Sequence, residues 1–281
     1  RPKKSILQLD SILQQVQEEQ KIEYTGEQLE AIRCSATESI LIVTGGPGTG
    51  KTTLIRGIIS IFEKSNLEIV LAAPTGRAAK RMAEATGREA KTIHRLLEME
   101  FTPDESRREF RKNERDPIKA DAIIIDEVSM VDILLMHSLL KAVEPGTRLI
   151  LVGDADQLPS VGPGRVLSDL IESRCFKVIR LNNIFRQAGE SFIVVNAHRI
   201  NKGLFPELNT ENEDFFFIPR NSPQSTAQTV LELCTTRIPE KFGLDPMKDI
   251  QVLSPSKKGD AGIYALNVLL QEKLNPPAAG V

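Results

Sequence analysis

The residues best suited to chemistry lie between Gly45 and Thr53, which read GGPGTGKTT. Gly45, Gly50, Lys51 and Thr52 fall on the spacing G-x-x-x-x-G-K-[ST] that cradles a polyphosphate. The glycines let the backbone of Gly46, Pro47, Gly48, Thr49 and Gly50 curl around a phosphate. Lys51, Thr52 and Thr53 open a helix whose N-terminus adds partial positive charge. Lys51 reaches β- and γ-phosphates and Thr52 offers a hydroxyl to Mg²⁺, so the ligand called for is a nucleoside triphosphate. The bare pattern arises by chance in on the order of one chain in a hundred of this length. Here the run ILIVT precedes it and an apolar helical stretch follows it, the context a phosphate loop requires.

A second group is acidic. The apolar run Ala122 to Ile125 ends in Asp126-Glu127, at the C-terminal edge of a strand, where open α/β sheets hold their ligands. Asp126 is placed to hold Mg²⁺ through its water shell, and Glu127 to deprotonate the water that attacks the γ-phosphate. Such a pair also occurs as a plain surface turn; beside a phosphate loop it reads as functional. A third run, Arg148 to Val152, opens onto Gly153-Asp154-Ala155-Asp156-Gln157. The Gln157 amide both donates and accepts and could report a γ-phosphate, the alternative being a polar loop with Asx turns at Asp154 and Asp156.

These residues need a scaffold that brings strand ends together. Short β-branched runs recur at 40–44, 69–73, 122–125, 149–152, 178–181 and 250–253. None alternates, which is how strands buried on both faces read. Helical spacing fills most intervals, as at 53–64 and 76–85, so the pattern predicts a doubly wound, mainly parallel α/β sheet. The polar interval 98–119 breaks the rhythm and predicts a small hairpin insertion. A helix over 191–201 and a Pro/Ser-rich link at 219–224 put a domain boundary near residue 190, with 1–190 the first domain and 191–281 part of a second.

Composition bounds the rest. The 281 residues are 41% hydrophobic and 26% charged, ordinary for a globular protein with a real core. The net charge of −2 announces no polyanionic partner, so a nucleic-acid site would have to be a local groove. Cys34, Cys175 and Cys234 are isolated, which fits a reducing cytoplasm rather than a disulfide or metal framework. No stretch has the roughly 20 apolar residues that a membrane span needs. The chain starts without Met and ends in LNPPAAGV, and both ends read as cuts through something longer.

Taken in order, GGPGTGKTT, APTGRAAKRMAEATG with TIHRLL, IIIDEVSMVD, LILVGDADQLPSVGPGRVLSDL and IFRQ closely resemble the RecD-like branch of the superfamily 1 DNA helicases, the RecD/TraA family. The likeness is dense over 25–187 and sparser to about residue 274. It implies two RecA-like domains, the first a P-loop NTPase, and an ATP-driven motor that moves 5′ to 3′ on single-stranded DNA and splits a duplex fork in recombination and repair. It implies that Gln28 bonds the adenine edge and that Gln157 and Arg186 contact the γ-phosphate, Arg186 coupling domain closure to the nucleotide. For DNA it implies Pro74, Thr75, Gly76 and Arg77 on a backbone phosphate, Thr92 and His94 facing the strand, and Ser254, Lys257 and Lys258 at the opening of the second domain. The interval 98–119 sits where the family carries a hairpin that splits the duplex.

The sequence departs from the family in carrying neither a T-V-H-K-[ST]-Q-G nor a T-x-x-T-R-A stretch, nor the usual N-terminal helical module. The second stretch supplies an arginine to the γ-phosphate, a contribution worth about 10³ to 10⁵ in rate in phosphoryl transfer. The expectation is nucleotide binding with weak ATPase or none. A competing reading is a nucleotide-gated DNA-binding subunit of a nuclease complex, with nuclease or single-strand-binding partners and no unwinding of its own; an intact Glu127 argues against it.

Overall fold

The computed structural model describes residues 4–101, 108–183, 191–208 and 214–276. The chain divides into two compact units, Arg1–Glu207 and Leu208–Val281.

The first unit is built on one sheet of parallel strands, β1 (Ile40–Gly45), β2 (Ile69–Ala73), β3 (Ala90–Thr92), β6 (Ala122–Ile125), β7 (Arg148–Gly153) and β8 (Lys177–Leu181), in the order β3-β2-β6-β7-β1-β8. Successive residues of β1 serve opposite cores. Leu41 and Val43 join the cluster made with α1 (Leu9–Gln20), α2 (Gly26–Thr37), α3 (Lys51–Lys64) and Met82 of α4 (Gly76–Thr86). Ile42 joins the cluster made with α5 (Ile93–Leu96), α6 (Ile133–Ala142) and α7 (Val166–Glu172). Helices on both faces leave the inner strands β1, β6 and β7 no wet side, so their apolar residues run continuously rather than alternating. Leu54, Ile58, Ile61 and Phe62 of α3 are fully buried, each contributing roughly 1.5–3 kcal/mol.

The parallel sheet, its two helical layers and five of the six expected strands agree with the sequence reading. β3 was not anticipated: its three residues AKT are polar and pair only with β2. The expected strand at 250–253 is corrected: these residues carry no ladder. A strand needs a partner, and among the described residues the second unit offers none. Within 98–119 the structure has an antiparallel pair, β4 (Met99–Phe101) and β5 (Arg108–Phe110), with Met99 opposite Phe110.

The unit division falls after Glu207 rather than near residue 190. Helix α8 (Phe192–Asn201) belongs with the sheet, and the return behind it is cross-tied. The buried Asn196 amide donates to the Glu207 carbonyl at 3.0 Å and accepts from the Glu207 N–H at 2.7 Å, while Arg199 Nε donates to the Phe205 carbonyl at 2.8 Å. The second unit is helical in its described part: α9 (Pro223–Glu232) runs through a π-turn into α10 (Ile238–Phe242), and α11 (Ile263–Leu274) follows. Ser222 caps α9 and Pro223 takes its first turn, where a missing N–H costs nothing.

Candidate nucleotide-binding site

The strand order decides what can meet. β7 lies between β6 and β1, so the residues leaving β6, β7 and β1 converge at the carboxyl edge of the sheet, the place where open α/β sheets bind ligands. The phosphate loop runs from Gly45 at the end of β1 to Lys51 at the start of α3. Gly48 and Gly50 take φ of 74° and 81°, values glycine adopts without steric cost. Gly45 is needed for close approach: a Cβ there would stand 2.6 Å from Thr49 Oγ1 and 2.9 Å from the Leu181 carbonyl of β8. Thr49 donates to the Gly46 carbonyl at 2.9 Å. Lys51 Nζ donates to the carbonyls of Gly45 at 2.6 Å and Gly46 at 3.0 Å, so the ammonium group lies in the concave side of its own loop.

Asp126 follows β6, held by its N–H on the Ala72 carbonyl at 3.0 Å. Its Oδ1 accepts the Glu127 N–H at 2.8 Å. Burial pushes the Asp126 carboxyl above its ordinary range and the charge of Glu127 adds to that, while the Glu127 N–H and Lys51 pull it down. A carboxylate kept short of water and within the field of the Lys51 ammonium group is suited to a hydrated divalent cation. Among the described residues no cluster of three or more His, Cys, Asp or Glu exists. One carboxylate and one hydroxyl suffice for Mg²⁺ only where phosphates and waters complete its shell, which is how Mg²⁺ binds nucleotides.

Glu127 has a left-handed backbone, φ 55° and ψ 40°, which costs a non-glycine residue roughly 1–2 kcal/mol. It stands at the N-cap of the 3₁₀ turn Val128–Met130 and turns the chain off the sheet there. Just past β7, Asp154 is buried and accepts the Asp156 N–H at 3.0 Å, the expected Asx turn, while the Gln157 N–H reaches the Asp154 carbonyl at 3.3 Å. No such bond forms at Asp156 among those described. Gln157 is exposed at the rim.

Thr52, Asp126, Glu127, Gln157, Thr75 and Arg77 line one cavity of about 440 Å³. Arg81, one helical turn beyond Arg77 on α4, lines it as well; the i, i+4 spacing was the signal available for it. Gln28 is buried rather than presented at a surface. Its side chain accepts the Thr25 N–H at 3.0 Å in a capping box at the start of α2 and donates to the Gly50 carbonyl at 3.3 Å, so it braces the loop from behind.

The residues expected on DNA fall into two groups. Pro74 to Arg77 leave β2, and Thr92 and His94 leave its neighbour β3, all at the same sheet edge. Thr75 accepts from the Ala78 N–H and Thr92 from the Arg95 N–H, each at 3.2 Å, so both hydroxyls cap helices. The His94 ring lies 6.0 Å from that of Phe110. Ser254, Lys257 and Lys258 belong to the second unit, where Ser254 Oγ bonds the Ser256 and Ala261 carbonyls in the loop before α11. Arg186 lies outside the described residues.

A glycine-rich loop between strand and helix, with a lysine, a hydroxyl and an acidic pair on neighbouring parallel strands, defines a P-loop NTPase of RecA-like fold. An AAA domain family matches residues 28–163. The chain is 38% identical over 256 residues to the ATP-dependent RecD2 DNA helicase of Deinococcus radiodurans, covering 91% of this chain and 33% of that protein. It is 42% identical to the RecBCD enzyme subunit RecD of Mycolicibacterium smegmatis, over 52% of this chain and 30% of that one. The crystal structure of the Pif1 helicase from Candida albicans shares the fold at a TM-score of 0.51 and 21% identity, over 79% of this chain and 55% of that one. The chain is thus similar to RecD-type helicase proteins over the part of them that it spans. It spans about a third of the length of the curated relatives it matches.

Proposed function

We propose that this chain carries the nucleotide-binding part of an ATP-dependent DNA helicase motor that moves 5′ to 3′ on single-stranded DNA in recombination and repair. The observation that carries this reading is the convergence of Thr52, Asp126, Glu127 and Gln157 on one cavity beside the phosphate loop. ATP lies along Gly46 to Thr53, with Lys51 on the β- and γ-phosphates. Mg²⁺, held by Thr52 and through water by Asp126, would neutralise developing charge on the phosphates. Glu127 takes the proton of the attacking water, and Gln157 and Arg186 read the γ-phosphate. The resemblance of the motif strings supports each assignment.

Pro74, Thr75, Gly76, Arg77, Thr92 and His94 share one sheet edge, and we assign them to single-stranded DNA, with Ser254, Lys257 and Lys258 contributing from the second unit. Two helix starts, at Thr75 and Thr92, give backbone N–H groups suited to phosphates, although a helix start of itself selects no particular anion. A relative whose name is a RecBCD enzyme subunit supports a nuclease complex as partner.

The test is equilibrium binding of MgATP and of a single-stranded oligonucleotide, together with ATP hydrolysis with and without that DNA. Lys51→Ala should weaken MgATP binding, and Glu127→Gln should keep both ligands while abolishing hydrolysis. Unchanged ATP affinity in the first variant, or unchanged turnover in the second, overturns the reading.

A further inference from the structure

His198 belongs to none of the motifs described above. It sits on α8, inside the first unit, and its imidazole packs against the phosphate loop: a Cβ built on Gly46 would stand 3.0 Å from His198 Cε1, 3.7 Å from Nε2 and 3.9 Å from Nδ1. Nε2 is sealed from solvent and has no hydrogen-bond partner among the described residues. Buried polar side-chain atoms are nearly always paired, and one that is not calls for an explanation.

The surroundings supply it. Gly46 is the residue whose carbonyl holds Lys51 Nζ at 3.0 Å, so the imidazole stands beside the stretch of loop that serves the same phosphates as the lysine. Its support is stiff. Ser191 caps α8 by accepting the Val194 N–H at 3.5 Å, and the Asn196 and Arg199 side chains fasten the return at 205–207 to the helix. A side chain locked from behind, with a ring nitrogen that no described group satisfies, is how a binding group beside the phosphate loop is prepared. Packing alone would be served as well by phenylalanine, which carries no nitrogen to desolvate.

We propose that His198 is a phosphate-binding residue of the nucleotide site, its Nε2–H donating to a phosphate oxygen of bound nucleotide. The inference rests on the P-loop reading above and extends the site beyond β8 to α8, a helix that follows the IFRQ segment in sequence. A hydrogen bond of this kind, neutral or charge-assisted, is the interaction a triphosphate can complete and that no group among the described residues completes.

The experiment measures Kd for MgATP and MgADP by calorimetry in the unaltered chain, His198→Phe, His198→Gln and Lys51→Ala, with thermal melts in the absence of nucleotide. His198→Phe keeps the apolar contact with Gly46 and removes the donor; it should melt as the unaltered chain does and bind MgATP roughly 10- to 100-fold more weakly. His198→Gln presents an amide N–H near the place of Nε2 and should recover most of that loss. Full affinity in His198→Phe, with Lys51→Ala impaired, overturns the inference and leaves the P-loop reading standing. Equal losses in Phe and Gln variants, accompanied by lowered melting without nucleotide, overturn it in favour of packing. Full affinity in Lys51→Ala overturns the P-loop reading itself.

Discussion

The Thr44 hydroxyl accepts the Ala155 N–H at 3.0 Å, joining the strand that feeds the phosphate loop to the loop that carries Gln157. Thr44 is buried, so the bond is shielded from water. Thr44→Val keeps the volume but removes the acceptor, and should lower stability by about 1–3 kcal/mol, read as a fall in the urea midpoint at unchanged m-value. An unaltered midpoint would show that the two loops are not coupled through this contact.

Glu127 is left-handed at φ 55°, which inverts an ordinary ranking. In most positions alanine stabilises relative to glycine; here Glu127→Gly should be more stable than Glu127→Ala by about 1 kcal/mol, while neither hydrolyses ATP. Equilibrium denaturation of the pair decides the matter, and an alanine variant at least as stable as the glycine one contradicts the strain.

Asp126 titrates above its ordinary range, chiefly because it is buried. Its proton is therefore held more tightly folded than unfolded. Stability from this group is present below the ordinary carboxylate pKa and is lost as pH rises through the raised value. Asp126→Asn should remove that loss, so the variant should melt higher than the unaltered chain at neutral pH without nucleotide, with the difference closing on acidification. It should at the same time lose Mg²⁺-dependent nucleotide affinity. Parallel melting curves at all pH values would refute the linkage.

Gly76 offers a clean probe of the DNA surface. A Cβ added there meets nothing within 4 Å, so Gly76→Ala should fold as before. If the Pro74–Arg77 loop lies on a DNA phosphate, the added methyl intrudes on that contact and affinity for a single-stranded oligonucleotide should fall, by roughly 10-fold for a displaced hydrogen bond. Fluorescence anisotropy with ATP affinity as the control reads it, and unchanged DNA affinity removes Gly76 from the interface.

What could be read from residue order was whatever is local. The runs ILIVT, AIII and LILV declare buried strands by composition alone, and the phosphate loop declares itself by spacing. Features that depend on a distant partner could not be read. Ile250 to Leu253 has the same apolar character but no ladder, whereas the polar Ala90–Thr92 pairs because β2 lies beside it. The family resemblance gives Gln28 to the adenine edge, yet its burial and its bonds to Thr25 and Gly50 arise from how α2 meets the phosphate loop. Gly162 appears in a loop string, but its reason is the Asp132 side chain capping α6, which leaves no room for a Cβ. His198 was silent for the same reason: nothing in NAHRIN says that the ring will lie on Gly46.

The position of β1 in the sheet has a consequence for biosynthesis. Ile40 and Leu41 pair with Leu149 of β7 and Lys177 of β8, both translated long after them. A nascent chain therefore carries the whole phosphate-loop sequence while neither flanking strand yet exists, and its β1 segment stays an unpaired apolar strand until residues 148–153 have been made. Such segments are where newly made chains aggregate. The Gly45 end of the phosphate loop packs on Leu181 of β8, so the cradle is complete only after that strand has been made.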